Sequence, residues 1–156
     1  MKLAGHIVFA ISLPLVVLLS VSCASVEGDG PPAERDRAVF DGQVWPVLVR
    51  DCGFSECHVS SERFFRVVGP GHERLDPAMR LTEPVTEAEL QFSFDRARSM
   101  VDMNDPRQSP LLRKPLEVSA GGSAHEGTDS YGMDVYRRVD DPNFLVLVNW
   151  VVSVAQ

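Results

Sequence analysis

The first apolar stretch of the chain, Ile7 to Val21, is broken only by Ser12, Pro14 and Ser20. Met1 and Lys2 precede it, and small residues and Cys23 follow. A positive start, a short apolar run and small residues at its end describe a cleaved export signal over residues 1–22. The run is shorter than the roughly 18 apolar residues that a membrane-spanning helix needs, and Pro14 interrupts it. Residues 23–36 then carry Gly and Pro among polar side chains without apolar periodicity, the pattern of a flexible tether.

Helical periodicity begins at about residue 37, and residues 37–156 read as one domain. Phe40, Val44, Val47 and Leu48 share one helical face, with Pro46 predicting a kink or two short pieces. Residues 64–68, Phe-Phe-Arg-Val-Val, form a strand-like run ended by Gly69-Pro70-Gly71. Thr86 and Glu89 make a capping box for a helix reaching Val101, with Leu90, Phe94 and Ala97 along its face. Asn104-Asp105-Pro106 stops it, and Ser109 caps a short helix with Pro110 in its first turn. A glycine-rich loop over residues 119–132 holds His125. Asp141 and Pro142 then open a last helix whose apolar face is predicted at Phe144, Leu145, Val148 and Val151, broadened by Trp150 and Val152 so that the helix is mostly buried. The pattern predicts a mainly α fold: a small domain with helices at both ends and irregular loops between.

Charge narrows the function classes. The 156 residues hold 15 Lys and Arg against 22 Asp and Glu, a net charge of −7, which argues against a nucleic-acid surface. The hydrophobic share of 44% is that of a folded chain. No Ser/His/Asp arrangement and no general acid–base pair stands out, so the expectation is that the protein is not an enzyme.

The three cysteines divide into one and two. Leu18-Leu19-Ser20-Val21-Ser22-Cys23 resembles a lipobox, which implies a lipid on Cys23, attachment to the membrane through it, and residence in the cell envelope as a periplasmic or outer-membrane lipoprotein. Ser20 stands where leucine is favoured, so ordinary cleavage near Cys23 to Ser25 is the alternative. With Cys23 set apart, Cys52 and Cys57 remain as an even pair in an oxidising compartment.

Cys52-Gly53-Phe54-Ser55-Glu56-Cys57-His58 is the one constellation with chemical content. A c-type haem needs two thiols for its vinyl groups and an adjacent histidine for its iron, usually as C-x-x-C-H. Here four residues separate the cysteines, and Gly53 eases the longer loop. Two other readings stand beside haem c: a Cys52–Cys57 disulfide, and zinc bound by Cys52, Cys57 and His58 with His72 or His125. The adjacency of Cys57 and His58 weighs against zinc, since neighbours rarely both reach one tetrahedral ion.

Three segments resemble the cytochrome c-like domains of bacterial surface lipoproteins. They are Val44-Trp45-Pro46-Val47-Leu48 before the cysteines, Asp105-Pro106-Arg107-Gln108-Ser109-Pro110-Leu111-Leu112, and the His125 loop followed by Asp141 to Phe144 and Val148 to Val151. Thr128 and Phe144 stand where glycine and tyrosine are usual. The resemblance implies a class I cytochrome c-like fold whose first and last helices cross, one-electron transfer, and a redox partner protein. It also implies a second iron ligand at His125. Met133 just past the same loop is the favoured thioether alternative, ahead of Met100 and Met103.

Overall fold

The chain enters the fold through a helical stretch that runs unbroken from Pro32 to Cys52. The computed structural model describes residues 32–54, 57–58, 62–125 and 134–156, with side chains from Asp36 onward. The expected export signal, Cys23 and Met133 lie outside the described residues. Helix α1 is Pro32–Val39, a π-turn covers Phe40–Val44, and α2 is Trp45–Cys52. In the π-turn the Trp45 N–H reaches back five residues to the Phe40 carbonyl. Pro46 explains the wider turn. It has no N–H to offer the Gly42 carbonyl, and in an α-helix its ring would press on that oxygen. Widening the turn just before the proline relieves the crowding, so the helix passes through Pro46 instead of splitting.

Helix α1 thus starts ahead of residue 37, the expected start of the domain. The Asp36 carbonyl accepts the Trp150 indole N–H at 3.0 Å, which ties this segment to the last helix. Helix α3, Glu87–Arg98, opens on the predicted capping box: the Thr86 hydroxyl accepts the Glu89 N–H, and the Glu89 carboxylate accepts the Thr86 N–H at 3.0 Å. It stops short of Val101 because the Met100 and Val101 N–H groups bond carbonyls three residues back, tightening the last turn. Helix α4, Pro110–Arg113, follows a 3₁₀ turn at Pro106–Gln108. Ser109 stands before it but caps nothing: its hydroxyl accepts the Asp102 N–H at 2.9 Å. Helix α5, Pro142–Val154, has Asp141 as its N-cap, accepting from the Asn143 and Phe144 N–H groups.

The fold is mainly helical, with helices at both ends. Among the described residues there is no strand, only an isolated parallel bridge between Leu116 and Tyr136. Residues 64–68 are therefore not a strand, although Phe65, Val67 and Val68 are buried as an apolar run requires. Their backbone groups find other partners. Val67 N–H bonds the His58 carbonyl, Val68 N–H bonds the Ser93 hydroxyl, and the Val68 carbonyl accepts the Trp45 indole N–H. Gly69 follows because a Cβ there would sit 2.6 Å from the Trp45 ring.

One core joins the π-turn, α3 and α5. Phe40 meets Phe94 and Trp150 with ring centres 5.3 Å away in each case, and Phe94 meets Trp150 at 6.1 Å. Arg37 covers this cluster, lying 5.6 Å over Phe94 while pairing with Asp41 and Glu87 and bonding Gln91. In α5 the buried face is Phe144, Leu147, Trp150, Val151 and Val154, while Leu145 is 41% exposed. The helix is rotated from its predicted face because the Trp150 side chain, anchored on Asp36, decides the orientation.

A second buried centre closes the loop between residues 69 and 86. Arg74 donates to both Glu89 oxygens at 2.7 and 2.8 Å and to the carbonyls of Arg80, Glu83 and Pro84. Arg74, the capping interactions and the Leu75 N–H together hold the Glu89 carboxyl down at about 2, against burial acting the other way.

Candidate functional site

Helix α2 ends at Cys52, whose side chain is buried where the helix meets a cavity of about 1050 Å³. Cys52, Cys57, His58 and His125 all line this cavity, so four of the residues singled out from sequence converge on one space. Its size is at the upper end of the ~300–1,000 Å³ typical of small-molecule and cofactor sites. Leu48, Phe65, Leu111 and Leu147 supply apolar wall, and Arg50, Arg63 and Lys114 stand among its polar lining.

The turn after α2 sets the spacing of the motif. The His58 N–H returns to the Cys52 carbonyl at 3.1 Å, and the Cys57 N–H bonds the Phe54 carbonyl at 2.9 Å. Gly53 is required here, since a Cβ would lie 2.5 Å from the Val49 carbonyl oxygen. Both cysteines are free thiols. Burial, then the Asp51 carboxylate and Cys57, push the Cys52 thiol up to about 12, with Arg50 opposing. This sulfur keeps its proton at neutral pH in the metal-free protein. His72 stands apart from the cavity lining, its ring edge-on to Phe54 at 5.4 Å. Among the described residues no group of three or more His, Cys, Asp or Glu side chains is arranged to hold a metal ion.

His58 is held on both sides by the segment that followed the motif. Its Nδ1 lies 3.0 Å from the Phe65 carbonyl, and its own carbonyl accepts the Val67 N–H at 3.0 Å. A carbonyl only accepts, so the proton is on Nδ1 and the Nε2 lone pair is left available. Burial lowers the pKa of His58; the Phe65 contact raises it, and His125 and Arg63 lower it. The ring is therefore neutral at neutral pH, the state that binds a metal, with the second nitrogen oriented as metal-ligating histidines commonly are.

His125 faces His58 with ring centres 5.9 Å apart and planes 18° from parallel. That separation is within the ordinary range for neighbouring aromatic rings. The His125 Nδ1 atom is buried without a hydrogen-bond partner among the described residues. The loop carrying it is clamped to the end of α4: Ser123 N–H bonds the Arg113 carbonyl at 2.8 Å, and Lys114 Nζ bonds the Ala124 carbonyl at 2.9 Å. Gly122 allows the approach, since a Cβ there would collide with the Leu116 carbonyl at 1.6 Å. Of the methionine candidates, Met100 lines the cavity and Met103 is exposed.

The structure adds residues that sequence patterns do not reveal. Asp51, beside Cys52, accepts the Tyr136 hydroxyl at 2.8 Å and pairs with Arg50 at 2.6 Å. Burial, then Cys52 and Asp51, raise the Tyr136 phenol, so it remains a donor and pins the end of α2 to the segment before α5. The Phe65 carbonyl is a backbone atom, and no residue pattern announces it. The donor set, two thiols, an oriented imidazole and a second imidazole whose buried Nδ1 has no partner among the described residues, fits a c-type haem. No protein-family model, curated protein or solved structure matches this chain.

Proposed function

We propose that the cavity holds a covalently attached haem c and that the protein is an envelope electron carrier, anchored by lipid on Cys23, with a cytochrome c-like fold. Cys52 and Cys57 would hold the group through thioether bonds, with His58 as proximal and His125 as distal ligand. When bound, the group supplies one-electron iron chemistry. The residues of this chain do the rest. The Phe65 carbonyl orients His58, the clamp on Ser123 and Ala124 presents His125, and the apolar wall of Leu48, Phe65, Leu111 and Leu147 limits water. The reading assigns the protein to electron transfer with a redox partner rather than to catalysis.

The observation that carries it is the convergence of both cysteines, His58 and His125 on one cavity, with the two imidazoles 5.9 Å apart. The test is expression with haem-maturation machinery, followed by an absorption spectrum and an intact mass. Covalent haem with a Soret band and a low-spin spectrum is expected, and His125→Ala should convert that spectrum while Met133→Ala should not. A mass two hydrogens below the reduced chain with no Soret band would instead establish a Cys52–Cys57 disulfide in a non-haem binding or structural lipoprotein, and end this proposal.

A further inference from the structure

We propose that the corner of the cavity mouth built by Phe64, Phe92, Arg63, Arg66 and Arg96 is a docking surface for an acidic protein partner. The inference rests on the haem reading for its purpose, since a partner seated here would stand at the mouth of that cavity. Phe64 lines the cavity yet is 62% exposed, while its neighbour Phe65 is buried. Exposure of so large an apolar ring beside an open cavity carries a solvation cost, and the surrounding arginines hold it in place. The Arg96 guanidinium lies 5.2 Å from the ring centres of both Phe64 and Phe92. Arg66 lies 5.4 Å from Phe92. Stacked guanidinium and aromatic groups are pre-ordered, and arginine and aromatic residues carry much of the energy in protein interfaces.

Charge identifies the partner. Three arginines gather at this corner of a chain whose net charge is −7. Glu73 pairs with Arg66 at 2.8 Å, and Glu62 lies at the same cavity edge, so the patch is offset but not cancelled. An acidic protein is repelled by most of this molecule and attracted here, which fixes orientation as well as encounter rate. A lipid surface fits less well. The chain arrives from its tether at α1, and Arg37 of α1 pairs with Glu87 at the start of α3. Arg96 is nine residues further along α3, roughly 13 Å along its axis at ~1.5 Å per residue. Arg37 of α1 and the patch thus lie toward opposite ends of one helix.

The probe is poly-L-glutamate, added to the exported chain while backbone resonances are followed by NMR. Shifts confined to the Phe64, Phe92 and Arg96 neighbourhood, and lost at high ionic strength, are expected. Arg63→Glu with Arg96→Glu should weaken binding about tenfold or more, and Arg63→Gln with Arg96→Gln serves if the first pair unfolds the chain. Shifts spread over other faces, or unaltered affinity in a folded double variant, would overturn the proposal. So would a response of the same resonances to phosphatidylglycerol vesicles and not to polyglutamate. The Soret band is scored separately: a haem-free chain that still binds polyglutamate here defeats the haem reading alone, and a haem-bearing chain that does not bind defeats the docking surface alone.

Discussion

The two sides of the first helical stretch are built on different terms. Phe40 and Val44 sit in a core where polar groups are matched: the Trp150 indole bonds Asp36, and the Arg74–Glu89 pair is satisfied on every side that the structure describes. Twelve residues on, Cys52 ends the same stretch at a cavity where a histidine nitrogen is buried without a partner among the described residues and two phenylalanines, Phe54 and Phe64, are left exposed. The contrast separates the part of the molecule that holds itself together from the part that is complete only with something else. Stability should therefore reside in the first region and respond little to changes in the second until a ligand is bound.

The strongest way to break that comparison is Trp150→Ala. It removes the ring that joins α5 to Phe40, Phe94 and Asp36, and should cost about 3–5 kcal/mol in urea unfolding. A smaller loss would mean that the aromatic cluster is not the keystone of the core. Acidification tests the second buried centre. The Glu89 carboxyl titrates at about 2 in the folded chain, below the ordinary carboxylate value of 4.5. The unfolded chain takes up the proton first. Its contribution is thus complete above about pH 4.5 and is lost as pH falls from there toward 2. The urea midpoint should fall across that window in the parent and fall less in Glu89→Gln, which starts from a lower stability. The smallest effect is expected on the cavity side: His58→Ala in the haem-free protein removes one hydrogen bond to Phe65 and should cost roughly 1 kcal/mol. A loss comparable to that of Trp150→Ala would erase the distinction between the two regions.

Much of the helical framework was legible because it is governed by local chemistry. The Thr86–Glu89 box and the Asp141 cap depend on side chains within three residues of the backbone groups they satisfy, so spacing alone reveals them. Phe40, Val44, Val47 and Leu48 were likewise placed correctly on one buried face. Leu145 was not, because the rotation of α5 is set by a bond from Trp150 to a residue 114 positions away. The strand-like run at 64–68 misled for a related reason: its apolar side chains are buried, but its backbone partners are Trp45, His58 and Ser93 rather than another strand. At the site, Cys52, Cys57, His58 and His125 were legible by residue type. The Phe65 carbonyl, the Asp51–Tyr136 bond and the Phe64 corner were not, since each exists only through a tertiary approach.

The π-turn at Phe40–Val44 acts on all of this as an angular offset. Each residue of an α-helix advances the direction of its side chain by about 100°. A turn that accommodates one residue more than the α-helix therefore resets the azimuth of everything after it. The aim of Cys52 into the cavity is thus fixed a full two turns upstream, at a segment where Gly42 is exposed and an added Cβ would meet no other atom. Shortening that segment by one residue would leave the helix intact and swing the cysteine off its bearing, making a solvent-facing glycine an alignment element for a buried sulfur.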